Sequence, residues 1–154
     1  MCTGPGNFNG IRASISAMNG IKASLKPELI GLNKFEIFAC KDQVNLVSIR
    51  GSNNQIYSLI LNNRKPISEI MLTSIHEISI PKSLKNISVL GHRAEEIASS
   101  LNLENFEEKD DTDIIDLLNA SVKVLSPENY LPKPLYIGTG NTSFRKYERP
   151  KVFD

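Results

Sequence analysis

The sequence predicts a mixed α/β fold, and three patterns carry that reading. Apolar residues recur at helical spacing over 11–26, alternate with the two-residue period of strands over 44–72, and return to strand followed by helices over 86–124. A chain of 154 residues, 40% apolar and 23% charged, can close one ordinary domain or two small lobes around a core. Eighteen basic residues face seventeen acidic ones, which argues against wholesale coating of nucleic acid but leaves room for a local basic patch. No run approaches the ~18 apolar residues of a membrane span, and no basic-then-apolar leader opens the chain. The expected compartment is therefore the cytoplasm, with no membrane partner. Cys2 and Cys40 are too few for a disulfide framework and lack metal-ligand spacing. With no tryptophan and only two histidines, His76 and His92, material for a catalytic centre is thin.

The chain opens on Gly4-Pro5-Gly6-Asn7-Phe8-Asn9-Gly10, a glycine-rich turn feeding a helix, with Asn9 placed to cap orphan amides. Such turns usually follow a buried strand, yet only three residues stand before this one, so an upstream packing element is expected to be missing. Along 11–26 a bulky row of Ile11, Ile15, Met18, Lys22 and Leu25 occupies one side. The opposite side carries Ala13, Ala17, Gly20 and Ser24, small enough for a second backbone to approach within the ~8–10 Å of packed helices. Either both faces are covered inside the chain's own fold, or the flat face receives a partner. Pro27 ends the helix.

Residues 28–33 read as a short apolar strand and 34–39 as one or two helical turns. The texture changes at Lys41-Asp42-Gln43, which sets a lobe boundary. The chain thus divides into 1–40, part of an N-terminal lobe, 41–132, a C-terminal lobe, and 133–154, a tail. Strands over 44–50 and 55–61 are joined by Gly51-Ser52-Asn53-Asn54, and a turn over 62–66 leads to a third strand over 67–72, completing an antiparallel meander. Residues 75–80 read as a further extended piece, with His76 sharing the parity of Ile78 and Ile80. Residues 86–90 form a buried strand ending in Gly91-His92, and 94–101 a helix. Thr112 caps a last helix over 113–124, with Ile114, Leu117, Leu118, Ser121 and Val122 facing the core. From 126 onward periodicity fades, and the tail docks through Leu135-Tyr136-Ile137.

Candidate chemistry is sparse. The glycine-rich turn could cradle a phosphate at a helix N-terminus, but Gly10-Ile11-Arg12 does not complete a Walker motif, and a structural turn explains it better. His76 and His92 read as structural, since no Ser-His-Asp arrangement can be assembled around them. Seven of the acids fall within 104–116 without calcium-loop spacing, as expected of a solvated linker and helix start. The tail interleaves Lys133, Arg145, Lys146, Arg149 and Lys151 with Phe144, Tyr147 and Phe153, suited to single-stranded RNA or to an ordinary solvated tail.

The stretch from Gly4 to Arg12, the small-residue helix after it and Leu29-Ile30-Gly31-Leu32-Asn33 resemble the TsaB (YeaZ) family, the glycoprotease-like dimerization subunit of bacterial tRNA threonylcarbamoyladenosine synthesis. The family pattern is Gly-Pro-Gly-Ser/Asn-Phe-Thr-Gly-Leu/Ile-Arg, and here Asn9 replaces the threonine. Gln55-Ile56-Tyr57 and Pro132-Lys133-Pro134-Leu135-Tyr136-Ile137 fit later family segments, whereas Arg50-Gly51-Ser52 stands where an Asp-Ala-Arg element is usual.

The resemblance implies a partial actin-like ATPase (ribonuclease H-like) fold that lacks the first strands and helix of lobe one, through truncation or a start codon placed late. It implies a non-catalytic scaffold that binds a TsaD-like catalytic subunit and, with a TsaE-like ATPase subunit, supports threonylcarbamoylation of tRNA adenosine 37, meeting tRNA indirectly. Where the catalytic sister carries a His-x-x-x-His metal pair, this chain has Lys34 and Phe38, so neither metal nor cofactor is expected. The interface residues implied are Ile11, Arg12, Ala13, Ile15, Ala17, Met18 and Gly20, with a second copy of the chain as another occupant of the same helix. Deprived of its neighbours, that helix should leave the isolated chain prone to self-association. The competing readings are a glycoprotease-like hydrolase and a non-functional or independent interaction module.

Overall fold

A computed structural model of the chain describes residues 1–39, 43–122 and 132–137. At its centre lies a mixed sheet built from β1 (Val44–Arg50), β2 (Ile56–Asn62), β3 (Lys65–Pro66), β4 (Met71–Thr73), β5 (Ser88–Gly91) and β6 (Phe106–Glu108). Their order is β3-β2-β1-β5-β6, with β4 also on β2. β1 and β2 run antiparallel from Val44↔Asn62 to Arg50↔Ile56, while β5 joins β1 and β6 joins β5 in parallel. A parallel neighbour needs a crossover, and α3 (Ala94–Ser100) supplies it between β5 and β6.

Period-two alternation sorts the strand residues between two cores. Val47, Ile49, Leu59, Leu61 and Leu90 pack with Leu32, Phe35, Ile37 and Phe38 on one face. Leu46, Ile56, Ile60 and Val89 pack with Ile75, Ile78, Ala94 and Ile97 on the other. The first face is covered by α2 (Lys34–Phe38) and by α4 (Ile114–Val122), the second by α3. A reciprocal capping box between Asn33 and Glu36 starts α2. Arg64 ties α2 to α4 by donating to the Ala120 carbonyl at 3.0 Å and to that of Glu36 at 3.4 Å.

The 44–62 hairpin matches its sequence reading, and other segments differ for identifiable reasons. Of the expected 67–72 strand only Met71 and Leu72 pair, within β4, whereas β3 falls in the expected turn; both pair with β2, and between them the Ser68 hydroxyl accepts from the Ile60 amide. Residues 28–33 form no strand; Leu32 makes a single parallel bridge to Cys2. The expected extended piece at 75–80 begins as a 3-10 turn, Ile75–Glu77, closed by Glu77 accepting from the Ser74 amide. Inward residues therefore follow a spacing of three, Ile75 and Ile78, and His76 is exposed instead of half-buried. β6 lies inside the acidic run expected to be linker.

In α4, Asp113 and not Thr112 accepts from the Ile115 amide. Its inward side is Ala120 with half-buried Leu117 and Ser121, whereas Ile114, Leu118 and Val122, expected in the core, are exposed. No helix among the described residues is long and apolar enough to cross a membrane. The basic tail beyond Ile137, Cys40 and two residues of the expected lobe boundary, Lys41 and Asp42, lie outside the described residues.

Candidate functional site

The helix implied as a partner surface is α1 (Phe8–Leu25). Its start is fixed by Asn7, whose side chain accepts from the Gly10 amide at 3.0 Å; this residue, not Asn9, is the cap. An amide that a bound anion would need is thus already satisfied from within, in keeping with a structural turn. Gly4 stands at φ +104°, and a Cβ there would lie 2.7 Å from Ile11 Cδ1, so glycine is what lets the turn close beneath the helix. Lys26 in the left-handed region ends α1, its amide donating to the Lys22 carbonyl at 2.9 Å.

Three backbone segments hold the base of α1. Thr3 donates to Leu32 and Leu32 to Met1, while Leu135 donates to the Thr3 carbonyl at 2.9 Å. The expected docking of Leu135-Tyr136-Ile137 is observed: Leu135 and Ile137 rest on the core, and the Tyr136 ring lies 4.9 Å from that of Phe8.

Above this base the helix stands in the open. Ile11, 9% exposed, is its one buried residue, and Ile15 and Met18 are half-buried. The seven implied interface residues therefore separate into three sets. Ile11 anchors the helix to its own fold, with Met18 on the same side. Arg12 and Ile15 line a shallow groove of about 390 Å³ with Phe8, Ser16, Pro134 and Tyr136. Ala13, Ala17 and Gly20 are exposed, and nothing lies within 4 Å of a Cβ placed on Gly20. The flat side of α1 is uncovered.

A second group of polar residues gathers where the parallel strands end, a place the sequence marked only by His92. His92 Nδ1 lies 2.7 Å from Asp110 Oδ1, and Arg50 Nε donates to Nε2 at 3.3 Å. The tautomer with its proton on Nδ1 satisfies both contacts. The hydrogen bond from His92 lowers the Asp110 carboxyl below its ordinary value. Ser48 lies nearby, but it is fully buried and its hydroxyl donates to the main-chain carbonyls of His92 and Leu90. The imidazole turns away toward Asp110, so Ser48, His92 and Asp110 do not form a nucleophile–base–carboxylate relay. Gly91, at φ +116°, lets the two strands approach here, since a Cβ would sit 2.0 Å from the Ser48 carbonyl oxygen.

Among the described residues no three His, Cys, Asp or Glu side chains converge as metal ligands. Lys34 pairs with Asp111 at 3.7 Å, and Phe38 is buried in the core. Lys109 bridges Glu107 and Asp116; burial pulls its ammonium down, but the two carboxylates outweigh that and hold it above the usual lysine value.

No family model matches this sequence, and no curated protein matches it significantly. Solved structures do. One, an uncharacterized protein from Pseudomonas aeruginosa with similarity to peptidase YeaZ, superposes with a TM-score of 0.63 at 15% identity, over 87% of this chain and 70% of that one. Another, YeaZ from Pseudomonas aeruginosa, gives 0.62 at 15% identity, over 87% and 72%. This chain shares the YeaZ fold. At this identity the likeness lies in the backbone arrangement, and the mixed sheet with helices on both faces is the mixed α/β class read from the sequence.

Proposed function

We propose that this chain is a TsaB/YeaZ-type scaffold that performs no chemistry itself and docks a TsaD-like catalytic subunit on the flat side of α1. Through that subunit and a TsaE-like ATPase subunit it supports threonylcarbamoylation of a tRNA adenosine. The observation that supports this reading is the uncovered stripe of Ala13, Ala17 and Gly20 along an 18-residue helix in a chain of YeaZ fold. Small side chains let a partner helix come close, and Ile21 and Leu25, both exposed, add apolar area beyond the stripe.

Affinity capture of a purified TsaD-like subunit by the tagged chain tests the proposal. Wild type should retain the subunit and Ala17→Trp should lose it, because an indole occupies the space the partner backbone needs. Unchanged capture by Ala17→Trp contradicts the docking surface, and metal-dependent peptide cleavage by the chain alone would favour a glycoprotease-like hydrolase. Self-association through the same helix, seen in sedimentation and abolished by Ala17→Trp, would give the stripe to a second copy.

A further inference from the structure

We propose that the groove between the start of α1 and the 132–137 segment binds a short single-stranded stretch of RNA. A base would stack on the exposed ring of Tyr136, which Phe8 backs, and Arg12, held over the Phe8 ring, and Lys133 would meet its phosphates. Phe8 is 51% and Tyr136 45% exposed, unusual for paired rings that could have been turned inward. Their centroids lie 4.9 Å apart with a 37° tilt, and the Arg12 guanidinium stands 5.1 Å from the Phe8 centroid. The groove, at about 390 Å³, has room for a nucleobase, and among the described residues that line it there is no carboxylate.

The segment that supplies the α1 side of the groove is basic. Residues 1–27 contain Arg12, Lys22 and Lys26 but no aspartate or glutamate, and Lys133 is exposed beside Pro134. Acids concentrate instead in 104–116, so the near-neutral total conceals an uneven distribution along the sequence. Aromatic faces beside cations are the chemistry that holds single strands, where every base has a face to stack and every linkage a charge.

The groove is distinct from the proposed docking stripe. Phe8, Arg12 and Ser16 follow one another at i, i+4 and i+8, and Ala13, Ala17 and Gly20 occupy another side of the same helix. That the strand is RNA and not DNA rests on the proposed role in tRNA modification; the stacking geometry does not.

Fluorescence anisotropy with labelled oligo(U) and oligo(A), using the full chain without partners, tests this. Saturable binding should appear at low salt and weaken steeply as salt rises. Tyr136→Ala should weaken it about tenfold and Tyr136→Phe should preserve it. Arg12→Glu, a surface change, should weaken binding and lower the salt dependence by about one charge or more. Ala17→Trp should bind RNA as wild type does, so loss of partner capture and loss of RNA binding are separate failures. Absent saturable binding, affinities unchanged in Tyr136→Ala and Arg12→Glu, or duplex bound as tightly as single strands would overturn the proposal. Equal affinity for oligo(dT) would overturn the assignment to RNA, and capture of an acidic protein through Tyr136 without RNA binding would overturn both.

Discussion

α1 and α3 hold their places by opposite means. α3 has seven residues, of which Ala94, Ile97 and Ala98 are buried, and Arg93 and Glu108 secure its start from outside. α1 has eighteen residues and one buried, Ile11. Seven residues are far below the ~12–15 at which a helix begins to persist in water, so α3 exists because the sheet packs against it. Eighteen exceed that length, but two glycines, two asparagines and three serines give α1 weak intrinsic propensity, so beyond its Asn7 cap and Ile11 anchor it is the more loosely held of the two. The fold's stability thus resides in the sheet and its covering helices, and most of the α1 surface can change without disturbing it.

Substitutions at graded distance from the sheet sharpen this contrast. Phe35→Ala, at a fully buried position, should cost about 4 kcal/mol in urea denaturation. Gly91→Ala should cost about 3 kcal/mol, because the added methyl meets the Ser48 carbonyl and the backbone is at positive φ. Asn7→Ala, which leaves the Gly10 amide without its acceptor, should cost about 1 kcal/mol and appear first as lost helical ellipticity. Asp110→Asn should have a smaller, pH-dependent effect. Its carboxyl is lowered in the folded chain, so its contribution is present above the ordinary aspartate value of 3.8 and disappears as pH falls through the lower folded value. Denaturation should therefore separate wild type from Asp110→Asn near neutrality and bring them together in acid. Ala17→Trp should change stability by no more than about 0.5 kcal/mol. A large loss there would mean that the flat side of α1 is packed within the chain after all.

Much of this architecture is legible in the sequence where physics is local. Alternation made β1 and β2 visible, and the Asn53-Asn54 and Asn63-Arg64 turns adopt the positive φ that such hairpins need. Helical spacing made α1 visible, but spacing cannot say which face has a neighbour. The bulky row of α1 reads as a core face, yet Lys22 and Leu25 at its far end are exposed because the helix runs beyond the body that Ile11 touches. The same blindness misplaced the inward side of α4. β6 escaped notice because Phe106-Glu107-Glu108 has one strand-favouring residue, Phe106, inside an acidic run; its pairing with β5 comes from tertiary context. Of the groove, only the pieces were legible: Phe8 and Arg12 lie more than a hundred residues from Tyr136, and the bond from Leu135 to Thr3 brings them together.

Hydrogen exchange on the chain alone and in complex with a TsaD-like subunit tests the central claim most directly. Alone, amides in the second half of α1 should exchange much faster than those of β1, whose two faces are buried. With the subunit bound, slowing should concentrate on residues 13–24. Protection that spares those residues and falls on the outer face of α4 or the strand ends near His92 would contradict it.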